Sequence, residues 1–272
     1  MDLNAFIKEA LNEDIGDGDH TSLACFPNNA IGKANLISKD IGIIAGIELA
    51  KKIICTYDDN IYIETFKKDG DEIQIGDLIF SLSGPAQSIL SIERLFLNCM
   101  QRMSGIASQT AKIKNLVAHT NVSILDTRKT TPLFREIEKW AVRIGGGKNH
   151  RFGLFDMVMI KDNHVDFSGG IKNAIISVKK YLKEKNKNLK IEIEVRNQSE
   201  LDEAIQVGGI DRILFDNFSP AELKIALAKV PKKIETEASG GITIETIKEY
   251  AETGVQFISV GALTHSYKSI DL

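Results

Sequence analysis

Beyond residue 120 the chain alternates short apolar runs with longer amphipathic stretches. The runs predict strands at 123–126, 157–161, 191–195, 212–215, 234–238 and 257–260. Between them, apolar positions recur every three or four residues and predict helices near 132–144, 170–185, 199–207, 220–229 and 243–253. Regular alternation of this kind means a parallel sheet joined by crossover helices. Six strands can be read this way, short of the eight in a complete α/β barrel.

The first third follows another pattern. Leu3, Ala5, Phe6, Ala10 and Leu11 mark a short helix with one apolar face. Runs at 34–38, 41–45, 61–66, 72–75 and 78–82, punctuated by Gly70-Asp71 and Gly76-Asp77, predict a small, mainly antiparallel sheet with a helix over 47–56. From Ser91 onward Ile92, Leu95, Phe96, Cys99, Met100 and Met103 form a helical stripe of packed core, with Arg94 and Asn98 off it. Ser104-Gly105 is expected to interrupt that helix, which resumes over 107–118. The boundary is therefore expected near 107, giving an α+β part at 1–107 and an α/β part at 108–272.

Composition narrows the setting more than the function. A chain of 272 residues suits one barrel with a smaller domain. Cys25, Cys55 and Cys99 lie far apart without a CxxC pair, so neither a disulfide framework nor a zinc site is suggested, and a cytoplasmic protein is expected. No apolar run approaches a membrane span, and the acidic start MDLNAFIKEALNED lacks the features of a signal peptide.

Charge is unevenly placed. Residues 126–161 hold eight Lys/Arg against four Asp/Glu, a local balance of +4 in a chain whose total is −3. A basic island in an acidic protein points to a small polyanionic ligand, since nucleic-acid binders spread positive charge over a face. Arg135, Lys139 and Arg143 follow the pattern of a solvated helix face. Arg128, Lys129, His150, Arg151 and Lys161 instead flank glycine turns and strand ends, where a parallel α/β fold gathers its ligand.

The other strand ends carry matching chemistry. Ser239-Gly240-Gly241 and Ser259-Val260-Gly261 offer turns whose backbone amides can approach a phosphate, with helices following. Alternation along IEIEV puts Glu192 and Glu194 on the same face. A carboxylate pair with Asp216 among these cations suits Mg²⁺ or ribose hydroxyls, or else ion pairs with Arg128, Lys161 or Arg196. The loop EDIGDGDHTS lacks the twelfth-position glutamate of a calcium loop and reads as turn and cap chemistry. DGDEIQIGDLIFSLSGP is similar to half of a lipoyl or biotinyl carrier module, but no lysine stands at the hairpin tip.

LDTRKTTP, GGGKNHR and MIKDNH, in this order, together with EDIGDGDHTS and ERLFLN, resemble the quinolinate phosphoribosyltransferase family. The resemblance implies an incomplete, about seven-stranded α/β barrel after a small α+β open-faced sandwich domain. It implies transfer of phosphoribose from phosphoribosyl pyrophosphate to quinolinate, with decarboxylation to nicotinate mononucleotide. By the motifs, Arg128, His150, Arg151 and Lys161 would bind quinolinate, joined by Arg94 from a neighbouring subunit of a homodimer or larger oligomer. Lys129 would act on the leaving pyrophosphate, Glu194 and Asp216 on ribose and Mg²⁺, and Ser239, Gly240, Gly241 and Gly261 on the 5-phosphate. His150 is also a candidate proton donor after decarboxylation, with His164 second. Rival readings are a relative acting on another aromatic carboxylate such as nicotinate, and a phosphorylated-ligand binder without turnover. Neither nucleic acid nor membrane is an expected partner.

Overall fold

The computed structural model describes residues 2–272. By compactness these divide into two units: one comprises residues up to Ala111 with Thr130–Gly146 and Ala262–Leu272, and the other Lys112–Lys129 with Gly147–Gly261.

The first unit begins with α1 (Leu3–Ile15) and α2 (His20–Cys25). The acidic glycine loop between them serves as cap chemistry: Asp19 Oδ1 accepts the Ser22 N–H at 3.1 Å and starts α2. Strands β1 (Ile31–Ile37), β2 (Gly42–Ile43), β3 (Tyr62–Thr65), β4 (Glu72–Ile73) and β5 (Leu78–Pro85) follow, with α3 (Ile47–Tyr57) inserted. They form two antiparallel pieces, β1-β5-β3 and β2-β4, rather than one sheet. Ile47, Leu49, Ile53 and Ile54 of α3 are buried, as are Ile79 and Phe80 of β5. Each such side chain contributes about 1.5–3 kcal/mol on leaving water.

Helix α4 (Ala86–Leu116) runs without interruption through Ser104-Gly105, correcting the expected break. Both residues are there for contact. Ser104 Oγ donates to the Ala45 carbonyl and accepts the Ala45 N–H at 2.9 Å, and a Cβ at Gly105 would overlap the Lys268 carbonyl oxygen. Most of the expected stripe is in the core: Ile92, Phe96, Cys99, Met100 and Met103 are buried and Leu95 is half-buried, and Phe96 packs on Phe80 with ring centroids 5.8 Å apart.

Helix α5 (Arg135–Ile144) overturns another expectation. Lys139 is 2% exposed and Glu138 fully buried, so this is not a simple solvated face. Glu138 takes the Arg102 guanidinium, with Arg102 Nε at 3.1 Å, and accepts the Thr131 N–H at 3.0 Å. Arg135 is half-buried and donates to Thr130 Oγ1; Arg143 alone of the three cations is exposed.

The second unit holds β6 (Ser123–Leu125), β7 (Val158–Ile160), β8 (Ile191–Val195), β9 (Arg212–Asp216), β10 (Glu235–Ser239) and β11 (Phe257–Ser259). They pair in parallel in the order β6-β11-β10-β9-β8-β7. Crossovers include α6 (Asp162–Ser168), α7 (Ile171–Glu184), α8 (Gln198–Val207), α9 (Pro220–Leu227) and α10 (Ile247–Ala251); α11 (Ala262–His265) follows β11 in the chain. On the free side of β6, where a further strand would lie, stands a single bridging residue, Lys148. Its N–H donates to the Ile124 carbonyl at 2.8 Å and its carbonyl accepts the Asp126 N–H. No helix among the described residues is long and apolar enough to cross a membrane.

Replacing Gly105 by alanine improves helix propensity yet forces a methyl group into the Lys268 backbone. Chemical denaturation should show Gly105→Ala destabilised by about 1–3 kcal/mol; equal or greater stability than the parent would contradict this packing.

Candidate active site

Strand register builds the site. Glu192 is paired with Arg212 and Arg212 with Glu235; one step further, Glu194 is level with Leu214, and Leu214 with Glu237. Beyond these, Asp216 is level with Ser239. Registered partners in a parallel sheet share a face, so these residues stand on one face at three levels rising toward the carboxyl ends; by burial the charges sort into a buried lower tier, Glu192, Arg212 and Glu237, and an open upper tier, Glu194 and Asp216. Arg128 and Lys129 follow β6, Lys161 follows β7, Gly240 and Gly241 follow β10, and Gly261 follows β11.

The lower tier is a buried ion cluster. Glu192 and Glu237 are both fully buried, and each reaches His150 Nε2, at 3.0 and 3.3 Å. Arg212 Nη1 meets Glu237 at 2.9 Å, while its other arm holds Glu235 and its plane lies 4.3 Å from the Phe257 ring centroid. Removing one partner from such a cluster strands a charge out of water, which costs about 3–5 kcal/mol. Burial pushes the Glu192 pKa up and Glu237 adds to it; Glu237, though equally buried, is pulled below the ordinary range by His150, Arg212 and Ser259. His150, Glu192 and Glu237 present metal-ligand atoms within 4.8 Å of one another. Arg212, however, already balances one carboxylate, and His150 Nε2 approaches both.

His150 is held on every side. Its main-chain N–H donates to Asp126 Oδ1 at 2.8 Å, and Asp126, fully buried, also accepts Asn149 Nδ2 at 2.5 Å. Its ring Nδ1 accepts the Arg151 N–H at 2.8 Å. Burial pulls the ring's pKa down, and the two carboxylates more than offset that, drawing it up to about 9. Charge alone thus favours the imidazolium, but its second proton would have to enter at Nδ1, against the Arg151 N–H. That conflict selects the neutral Nε2–H ring, with its proton between the carboxylates.

The upper tier is open. Glu194 and Asp216 are half-buried, and burial raises both pKa values. Asp216 raises Glu194 further, Asp162 raises both, and Lys161 offsets part of this; Lys129 lowers Asp216. Arg196 is not their partner. It pairs with Glu200 at 2.6 Å and Asp166 at 2.9 Å on the surface. Lys129 and Lys161 are exposed, and Arg128 is half-buried.

Arg151 is the sharpest electrostatic feature. It is 8% exposed, its Nη1 donates to the Met157 carbonyl at 3.1 Å, and its buried Nε has no hydrogen-bond partner. Burial and the neighbouring Arg128 cation push its pKa down, and Glu192 and Asp156 offset part of this. An unsatisfied buried donor costs roughly 1–3 kcal/mol, more when charged, and an anion that supplies the missing bond recovers it.

The glycine turns have the backbone a phosphate needs. Gly240 and Gly241 have φ of +91° and +60°, and a Cβ at Gly240 would lie 2.8 Å from the Asn217 nitrogen. Asn217 is itself left-handed at φ +56° and donates to Asp216 at 2.7 Å. The helices after these turns, α10 and α11, have only five and four residues. An anion there relies on turn amides more than on a helix dipole.

The structure thus gathers Arg128, Lys129, His150, Arg151, Lys161, Glu194, Asp216, Ser239, Gly240, Gly241 and Gly261 at the carboxyl ends or just beneath them. The His150 ring lies within reach of protein groups at both nitrogens, Glu192 and Glu237 at Nε2 and the Arg151 N–H at Nδ1. Arg94 is exposed on α4, in the other unit. His164 caps α6, its Nδ1 accepting the Lys161 N–H at 2.9 Å. Arg212 and Glu237 were not among the expected site residues. Their signal is a charge inside an apolar strand run, at the parity of Asp216 and Ser239.

Lys161 lowers the pKa of both open carboxylates, so its removal must raise them. In Lys161→Met, the carboxyl ¹³C titrations of Glu194 and Asp216 should move to higher pH; unmoved or lowered midpoints would separate Lys161 from this tier.

Comparison with known proteins agrees with this geometry along the whole chain. Residues 19–104 match the family model "Quinolinate phosphoribosyl transferase, N-terminal domain", and residues 106–272 the corresponding C-terminal domain. A chloroplastic nicotinate-nucleotide pyrophosphorylase (carboxylating) of Arabidopsis thaliana is 45% identical, the match covering 100% of this chain and 82% of that protein. A probable nicotinate-nucleotide pyrophosphorylase (carboxylating) of Bacillus subtilis is 44% identical, with 98% and 92% covered. The solved nicotinate-nucleotide pyrophosphorylase of Francisella tularensis superposes with a TM-score of 0.91 at 39% identity, covering 99% of this chain and 94% of that one. On its motifs, its fold and these matches, the chain belongs to the quinolinate phosphoribosyltransferase family.

Proposed function

We propose that this protein transfers phosphoribose from phosphoribosyl pyrophosphate to quinolinate and releases carbon dioxide, giving nicotinate mononucleotide and pyrophosphate in de novo NAD biosynthesis. The observation that carries the reading to a dicarboxylate is the Arg151 guanidinium, buried with an unsatisfied Nε and pressed by a second arginine, Arg128. Two arginines hold their charges at close quarters most cheaply when an anion lies between them. Quinolinate supplies two carboxylates; Arg128, Arg151 and Lys161 supply the cations, and planar guanidinium groups match carboxylates two bonds at a time. A monocarboxylate such as nicotinate would leave part of that charge uncompensated.

The reaction makes separate demands on the open tier. The ring nitrogen of quinolinate attacks C1 of the ribose as the bond to pyrophosphate breaks, and the ribose gains oxocarbenium character. Lys129 stands on the exposed rim and stabilises the departing charge. Glu194 and Asp216 fit Mg²⁺ as well as ribose hydroxyls: both are hard oxygen donors, and their mutual repulsion with Asp162 is relieved by a cation. When bound, Mg²⁺ neutralises charge on the pyrophosphate. Ser239, Gly240, Gly241 and Gly261 cradle the 5-phosphate through turn amides. Once ribosylated, the positive pyridinium nitrogen stabilises the carbanion left at the adjacent ring carbon as carbon dioxide departs, and a proton taken up at that carbon completes nicotinate mononucleotide. The protein therefore supplies orientation and fixed charge more than a strong base. A passive binder would have no use for two carboxylates held among its cations.

Arg94, exposed on α4, serves the site of a neighbouring subunit in a homodimer or larger assembly. The boundary near residue 107 and a cytoplasmic setting belong to the same reading.

With phosphoribosyl pyrophosphate and Mg²⁺ present, quinolinate should yield carbon dioxide and pyrophosphate in equal amounts. Pyrophosphate formed from nicotinate at a comparable rate would shift the reading to the monocarboxylate relative. Lys129→Ala should keep its circular dichroism spectrum and lose about 100-fold or more in turnover; undiminished turnover would remove Lys129 from the mechanism. Mixing Arg94→Ala chains with Lys129→Ala chains, with exchange of subunits verified, should restore part of the activity. Its absence would count against shared sites.

A further inference from the structure

The lower tier has no part in the chemistry above, yet it contains the most costly charges in the sheet. Glu192, on β8, is fully buried and neither of its oxygens has an aligned hydrogen bond; its nearest partner is His150 Nε2 at 3.0 Å. Glu237, on β10, completes the approach at 3.3 Å and is anchored by Arg212 of β9. The opposite edge of the same imidazole accepts the Arg151 N–H. One ring therefore links two buried carboxylates to the main chain of the arginine beside it, while Asp126 fixes the ring's own backbone. Arg151's side chain is tied back at Nη1 to Met157 and leaves Nε for a ligand.

We propose that Glu192 and Glu237 are positioning residues for quinolinate binding, acting through the His150 ring to fix the main chain at Arg151 and so aim its guanidinium. This rests on Arg151 being a carboxylate-binding group, as proposed above. The carboxylates hold a proton on Nε2, which leaves Nδ1 with the lone pair that the Arg151 N–H requires. The groups facing the ring include Glu192, Glu237 and, behind them, Arg212, with Asp126 and Arg151 at its own backbone. Without the acceptor at 192 only Glu237, at the longer 3.3 Å, remains against Nε2, and the ring shifts toward it, away from the position that seats the Arg151 N–H. His150 is thereby a strut between strand floor and arginine, and a positioning residue itself.

Steady-state kinetics of Glu192→Leu, Glu192→Gln and Arg151→Lys distinguish the positioning role from the binding role beneath it. Loss of the acceptor in Glu192→Leu should raise KM for quinolinate about tenfold or more, as misplacement of a binding group does. KM for phosphoribosyl pyrophosphate should rise less than KM for quinolinate, because Glu192 is directed at the His150 ring and not at the groups proposed to bind the pyrophosphate. Glutamine still accepts from Nε2–H, so Glu192→Gln should rescue most of the loss. Should Arg151→Lys leave KM for quinolinate unchanged, the assignment of Arg151 fails and the proposal with it. Should Arg151→Lys raise that KM while Glu192→Leu, folded, does not, only the positioning role is overturned. A readout that needs no variant of Glu192 is ¹⁵N NMR of histidine-labelled protein, with His150→Gln used for assignment. At about pH 7.5, His150 should show an unprotonated Nδ1 and a protonated Nε2. Protons on both nitrogens, or on Nδ1 alone, would overturn the proposal.

Discussion

A charge placed inside a β-sheet must find its complement there, and that constraint organises the second unit. Glu192, Arg212 and Glu237 stand on the shared face of neighbouring parallel strands, where register leaves them nowhere else to point. His150 arrives from the loop beyond Lys148 and closes the set. Because a buried carboxylate or guanidinium stranded here would cost several kcal/mol, the contacts of His150 with Glu192 and Glu237 tie the loop carrying Asn149, His150 and Arg151 to the strands. Asp126 adds the tie from the end of β6, accepting from both Asn149 and His150. The substrate-facing cations thus inherit their positions from a cluster that substrate need not touch.

Above that floor the balance changes from satisfied to unsatisfied. Below, each carboxylate has a cation or proton in reach. Above, Glu194, Asp216 and Asp162 repel one another, while Arg151 and Arg128 repel each other. These are the electrostatics of a site built for ligands carrying both signs: an anionic diacid for the arginines, and a cation or ribose hydroxyls for the carboxylates. Separating the two regions on one face lets a single pocket receive an acid and a sugar pyrophosphate side by side.

Much of this was legible in the sequence, for a physical reason. Apolar patterns of period two and of three to four placed all six strands of the parallel sheet, and polar residues at strand ends marked the ligand face. What could not be read were features that depend on distant contacts. The motif Ser104-Gly105 looks like a helix break, yet its residues are small because Ala45 and Lys268 approach the helix there. Lys139 fits a solvated stripe by spacing and is nevertheless buried. The edge position beside β6 is a single bridging residue after three glycines, too short for any periodicity. His150 sits in a motif rich in cations, and the approach of Glu192 and Glu237 to its ring depends on strands far along the chain, β8 and β10, which spacing within the motif cannot reveal. Family resemblance carried Glu194 over Glu192, and burial now gives the two glutamates distinct work.

If cations delivered by separate segments close around a dicarboxylate, a crystal structure of the protein with quinolinate bound should show it. The two carboxylates should lie among Arg128, Arg151 and Lys161, with Arg151 Nε donating to one of them and the His150 ring still on Glu192. Quinolinate bound with its carboxylates turned away from these three side chains would contradict that arrangement.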